Sequence, residues 1–139
     1  MSEGRAFFDT NILLYMEGVQ DEAKKSRAQQ VFRERIEDGE VVISTQVVQE
    51  FYVRARKVLR SPQQELEERV ESLLELPMVR IGPPHIRDAM RIEQQFQISF
   101  WDALIVAAAQ AAEADVLFTE DLNHGQRYGS VQVRNPFRD

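Results

Sequence analysis

Cysteine is absent from the chain, which rules out disulfide staples and thiolate metal sites and suits a reducing compartment. Long apolar runs are missing as well. The longest, Ala103 to Ala109, is far too short to cross a bilayer, so no membrane partner is expected. The opening stretch MSEGRAFFDTN lacks the basic start and small-residue cleavage site of a secretory signal, and a cytoplasmic protein is expected. Nor is there a surplus of positive charge: 23 acids face 17 Lys and Arg residues, for a net charge of −6. That balance argues against a protein that holds nucleic acid by net charge alone. It leaves room for an enzyme whose site concentrates acids around a metal. No repeat, linker or low-complexity segment interrupts the 139 residues, which fit one domain, 1–139, with a core of its own.

What is present is an alternation of short apolar runs with longer stretches of helical period. Arg5 to Phe8 reads as a buried strand, and Ile12 to Tyr15 as the start of a short helix. From Asp21 to Glu37, Ala28, Val31, Phe32 and Ile36 recur at spacings of three and four, as in an amphipathic surface helix that Gly39 stops. Val41 to Ile43 forms a second strand, after which Ser44 or Thr45 caps a helix through Val48, Phe51, Tyr52 and Ala55. Ser61-Pro62 opens the next helix, with Leu66, Val70, Leu73 and Leu74 facing inward, and Pro77 ends it.

Met78 to Ile81 makes a third strand, and the loop Gly82-Pro83-Pro84 leads into a helix carrying Ile86, Ala89, Met90 and Phe96. Ser99 caps the most apolar helix, Phe100 to Ala112, and Val116–Phe118 and Val131–Val133 complete five strands. Strands alternating with helices predict an α/β fold, a three-layer α/β/α sandwich around a mostly parallel sheet.

Ligands of such sheets bind beyond the carboxyl ends of the strands. Asp9 directly follows the first strand, and Asp121 lies just beyond the fourth. Glu50 is about one and a half turns into the helix after the second strand, and Asp102 is in the first turn of the helix capped by Ser99. Four carboxylates at one edge cannot all stay ionised unaided. A hard divalent cation, Mg²⁺ or Mn²⁺, neutralises them with oxygen ligands. Each acid also has a structural reading. Asp9 suits the cap of the helix near Asn11, Ser99-x-x-Asp102 is arranged like a capping box, Glu50 suits a helix surface, and Asp121 suits a turn toward Asn123-His124-Gly125. Their joint placement favours the site.

Four blocks, FFDTNILLY, STQVVQEF, SFWDALIVAAA and VLFTEDLNHGQ, stand in this order from Arg5 to about Val133. Together they resemble the PIN-domain nucleases, most closely the toxins of VapBC-type toxin–antitoxin pairs. The resemblance implies a metal-dependent endoribonuclease with Asp9, Glu50, Asp102 and Asp121 as its acids. Asp9, Asp102 and Asp121 would be metal ligands, and Glu50 a ligand or the group that positions the attacking water. Asn11 and Thr119 would orient the carboxylates. The resemblance further implies an RNA substrate, cleavage to a 3′-hydroxyl and a 5′-phosphate, a homodimer, and a cognate antitoxin that occludes the acidic pocket.

Arg54, Arg56, Lys57 and Arg60 follow Glu50 and suit phosphates flanking the cut, or equally a solvated basic face or a partner's acids. Glu120 is an extra acid whose side chain, at a strand end, is expected to point away from that of Asp121. His124 falls in a turn and is expected to serve the surface. Trp101, beside the apolar Phe100 and Leu104, is expected to pack, with base stacking as the other reading. Two other functions remain. An aspartate-dependent phosphatase of the haloacid-dehalogenase type also places an Asp after the first strand, but wants a second Asp where this chain has Asn11. A non-catalytic RNA- or protein-binding PIN module is the other.

Overall fold

The computed structural model of the chain describes residues 4–19 and 21–138. Its elements run β1 (Arg5–Phe8), α1 (Thr10–Met16), α2 (Glu22–Asp38), β2 (Glu40–Ser44), α3 (Thr45–Val58), α4 (Gln63–Leu74), β3 (Met78–Val79), α5 (Pro83–Phe96), α6 (Phe100–Ala111), β4 (Val116–Phe118), β5 (Arg127–Tyr128) and β6 (Val131–Arg134). The strands form one sheet in the order β3-β2-β1-β4-β6-β5. Every pairing is parallel except the β5–β6 hairpin. This is the three-layer α/β/α arrangement that the alternation of strands and helices predicts.

β1 lies at the centre, and its Ala6, Phe7 and Phe8 are fully buried. A strand covered on both faces needs such a continuous apolar run. Phe7 pairs with Val42 on one side and Leu117 on the other. α6 is buried without interruption from Ala103 to Ala109. Four of those seven residues are alanine, so the helix backbone can lie close to the sheet and to α5. From β1 the chain builds outward to β2 and β3, then returns to the other side of β1 with β4. The strand order therefore reverses between β1 and β4, which opens a crevice beyond their carboxyl ends.

Five local differences from the sequence reading have physical causes. A sixth strand, β5, pairs with β6 through the two-residue loop Gly129-Ser130, and Gly129 has the positive φ of 62° that such a tight turn needs. β3 ends at Val79, because the next backbone leaves the sheet and Ile81 N donates to Thr45 Oγ1 at 3.1 Å. Ser44 is therefore the cap of α3, accepting from Val47 N. The loop Gly82-Pro83-Pro84 is already helical from Pro83, since prolines lack only the N–H that a first turn leaves unpaired anyway. Leu74 is exposed, not inward: neighbouring helix positions lie about 100° apart, so with Leu73 turned to the core Leu74 cannot follow it. Ile36, Ile86 and Met90 are exposed too.

Candidate active site

Asp9 ends β1 and caps α1, so the capping and the site readings of this residue describe one geometry. Its main-chain N–H donates to Phe118 O at 3.0 Å, which ties it to the end of β4. Its Oδ1 accepts from Thr10 N at 2.7 Å and its Oδ2 from the Thr119 hydroxyl at 2.8 Å. Only 5% of the residue is exposed. Burial pushes its carboxyl up from 3.8 to about 7, against the two hydrogen bonds and with help from the charges of Asp121 and Glu50.

Glu50, half-buried on α3, accepts from the Thr10 hydroxyl at 2.9 Å and from Gln46 Nε2 at 3.4 Å. Gln46 also donates to the main-chain oxygen of Trp101 at 3.2 Å, which joins α3 to the first turn of α6. In that turn Ser99 Oγ accepts from Asp102 N at 3.1 Å. The Asp102 carboxyl is raised, chiefly by burial and in part by Glu50. Asp121, at the rim, accepts from Asn11 Nδ2 at 2.9 Å, and its N–H donates to Thr119 Oγ1 at 3.1 Å. Burial and the charge of Asp102 raise its carboxyl, while Arg54 opposes the rise.

The structure therefore brings all four acids to the crevice between β1 and β4, where Asp9 senses the charges of Asp121 and Glu50, Asp102 that of Glu50, and Asp121 that of Asp102. An all-oxygen donor set of this charge fits a hard divalent cation. A further oxygen, Asn11 Oδ1, is buried without a hydrogen-bond partner beside Asp121. Among the described residues, no three acidic or histidine side chains converge closely enough to form a metal site as they stand. The carboxylates are instead held on separate donors: Asp9 on Thr10 and Thr119, Glu50 on Thr10 and Gln46, and Asp121 on Asn11.

Beside Asp121 opens a cleft of about 330 Å³ whose walls include Asn11, Tyr15, Arg54, Lys57, Glu120 and Asp121. It divides the four basic residues singled out in the sequence. Arg54 and Lys57, about one and two turns beyond Glu50 on α3, line the cleft. Arg56 sits over the Tyr52 ring, 5.6 Å from its centroid, and neither it nor Arg60 reaches the cleft.

The PIN domain family model matches residues 6–129, and the four acids lie in that span. This chain belongs to the PIN domain family. Several solved structures share its PIN fold. A toxin–antitoxin complex from Klebsiella pneumoniae has 21% identity and a TM-score of 0.74, over 96% of this chain and 99% of that one. VapBC2 from Rickettsia felis, bound to a DNA fragment from their promoter, has 16% identity and a TM-score of 0.69, over 94% and 98%. VapC20 of Mycobacterium tuberculosis, a Sarcin-Ricin loop cleaving toxin, has 16% identity and a TM-score of 0.67, over 84% and 91%. No curated protein matches the sequence.

Three features of this PIN domain escaped the sequence reading. Thr10 and Gln46 hold Glu50 as directly as Thr119 holds Asp9. The sequence held part of the signal, since Thr10 directly follows Asp9 and Gln46 lies one helical turn before Glu50. Glu120 is turned toward Lys24 (2.9 Å) and the Tyr15 hydroxyl, yet it lines the same cleft as Asp121. Trp101 overturns the packing expectation: 63% of it is exposed, and its ring meets Phe100 edge-to-face. His124 lies at the surface, its Nδ1 accepting from Asn135 N at 3.0 Å. No described helix is long and apolar enough to cross a membrane.

Proposed function

We propose that this PIN domain is a Mg²⁺- or Mn²⁺-dependent endoribonuclease and the toxin of a type II toxin–antitoxin pair. The observation that carries this reading is the gathering of four carboxylates at the switch point between β1 and β4, where Thr10 bonds both Asp9 and Glu50 and Thr119 bonds both Asp9 and Asp121. The fold shared with a toxin–antitoxin complex and with a Sarcin-Ricin loop cleaving toxin supports the toxin assignment.

Asp9, Asp102 and Asp121 would hold the cation, with Glu50 either joining them or orienting the attacking water. A divalent ion there supplies positive charge for the phosphate oxygens and acidifies water enough to serve as nucleophile at neutral pH. The chain's own residues do the rest. Thr119 and Thr10 keep both Asp9 oxygens in place, so the carboxylate is positioned before any ligand arrives. Because burial holds Asp9 up at about 7, occupation of the site must displace a proton, and affinity for the ion rises with pH through that region. Glu50 is fixed by Thr10 and Gln46, which sets its carboxylate either to join the ligands of the ion or to orient the attacking water. Arg54 and Lys57 offer charge to phosphates flanking the cut, in a protein whose net charge otherwise repels RNA. The products are a 3′-hydroxyl and a 5′-phosphate, since water and not the ribose 2′-hydroxyl attacks.

The protein acts in the cytoplasm, as a homodimer, and is silenced by an antitoxin that places basic groups against the same acids. The test is cleavage of total RNA with Mg²⁺ or Mn²⁺ by wild type and Asp9→Asn, with an EDTA control. Cuts that vanish in both controls support the nuclease. A folded, antitoxin-free protein that cuts no RNA with either ion, yet binds RNA, would be a non-catalytic PIN module. Hydrolysis of a small phosphomonoester instead would point to the phosphatase.

A further inference from the structure

We propose that Trp101 forms a nucleobase subsite, a platform on which an unpaired base of the substrate stacks beside the acid cluster. This deepens the ribonuclease reading and rests on it: it specifies RNA that offers an unstacked base next to the bond that is cut.

Trp101 is the single tryptophan of the chain. Among the described residues it is the most exposed large hydrophobic side chain, and the only aromatic one in that group. The others, Ile36, Val53, Val58, Leu74, Ile86 and Met90, are aliphatic and less exposed. An indole exposed at this level keeps a π-face open to a ligand, with the ring's apolar area still uncovered.

Its location selects the ligand. Trp101 directly precedes Asp102, and its main-chain oxygen is held by Gln46, which also donates to Glu50. The platform is thus anchored through one amide to two elements that carry acids of the site. Its ring meets Phe100 edge-on, with centroids 5.3 Å apart and planes at 79°, a contact that props the indole and leaves most of it open. A rigid aromatic next to a phosphodiester-cutting site is the arrangement that binds single-stranded nucleic acid, because every base presents a π-face whatever its identity. A paired base cannot reach such a platform without leaving its stack, so duplex RNA is excluded.

The sole tryptophan makes the subsite directly observable. The experiment uses full-length Glu50→Gln protein in Mg²⁺, which keeps Asp9, Asp102 and Asp121 for the ion, titrated with three probes: a short unstructured RNA, the same sequence fully paired, and an abasic strand of equal charge. Trp101 emission is quenched by the unstructured RNA and unchanged by the other two. Trp101→Ala in the otherwise native enzyme weakens single-strand binding about ten- to a hundred-fold and raises KM, while Trp101→Phe retains most of both. Equal quenching by the abasic or duplex probe overturns the proposal. So does a Trp101→Ala enzyme that cuts RNA with unchanged KM, or one that sediments as a monomer where the wild type is a dimer, which would make the indole a subunit contact. Failure of the wild type to cut any RNA would defeat the nuclease reading, while the quenching titration would still decide base stacking.

Discussion

Neutralising Asp9 without changing its shape should make the ion-free protein more stable at alkaline pH. Asp9 is buried, and its carboxyl is raised from 3.8 to about 7. The folded state therefore binds this proton more tightly than the unfolded chain does. The stability it contributes is fully present below about pH 4, falls as pH rises, and is gone above about pH 7. At about 1.4 kcal/mol for each tenfold change in proton affinity, the full loss is about 4 kcal/mol. In EDTA, the wild-type Tm should thus drop on the order of 10 °C between pH 5 and pH 8. Asp9→Asn keeps an acceptor for the Thr119 hydroxyl and removes the titration, so its Tm should fall much less. A residual slope stays with Asp102 and Asp121, whose carboxyls are also raised by burial. Mg²⁺ at pH 8 should restore the wild type and leave Asp9→Asn unmoved. Thermal unfolding of both proteins across this pH range, with and without Mg²⁺, is the assay. Parallel curves for the two proteins in EDTA would refute the reasoning, because burial would then not be holding Asp9 neutral.

Other expectations follow from single contacts. Thr119→Val deprives Asp9 Oδ2 of its donor; it should cost about 1–3 kcal/mol and move the pH midpoint of Mg²⁺-dependent cleavage upward, with Thr119→Ser restoring it in a pH–rate profile. Arg54→Gln removes the charge that lowers the Asp121 carboxyl and lines the cleft; RNA affinity should drop and the slope of log K against log salt should shrink by about one, as measured by titration at several salt concentrations. Phe7→Ala empties a fully buried position of the central strand and should cost about 3–5 kcal/mol in urea unfolding.

The central strands were legible because their sequences contain no competing pattern. Arg5–Phe8 and Val116–Phe118 are apolar runs too short for helices, and both are strands with those bounds. Asp9, Asp121 and Asp102 were legible in place because the first two follow such runs and the third opens a capped helix, whereas Glu50 lies deeper in α3. What escaped notice depended on partners distant in sequence. Thr10 is one more polar residue after an Asp until Glu50, forty positions on, arrives beside it. β5 is two residues long and exists only through its hairpin with β6, although the Gly129-Ser130 pair marked a turn. Trp101 misled because α6 is apolar on every side through its middle, so periodicity cannot tell which end residues are covered. Its neighbours Phe100 and Leu104 suggested packing, but the buried stretch begins only at Ala103.

The distribution of charge explains how an acidic chain can serve an anionic substrate. Asp9 and Glu50 are held by hydroxyl, amide and main-chain donors, which orient a carboxylate without cancelling it, while Arg54 acts on Asp121 at the rim. Glu120, by contrast, is neutralised by Lys24, whose ammonium also lies 4.7 Å above the Tyr15 ring. The cleft next to Asp121 thus has one acid already paired and two cations, Arg54 and Lys57, along α3. A phosphate chain approaching there meets positive charge first and the unneutralised acids only at the crevice, where a divalent ion reverses their sign. Removing that ion should therefore weaken RNA binding as well as abolish cleavage, because the four carboxylates then face the phosphates directly. Binding that is indifferent to EDTA would place the RNA path elsewhere on the protein.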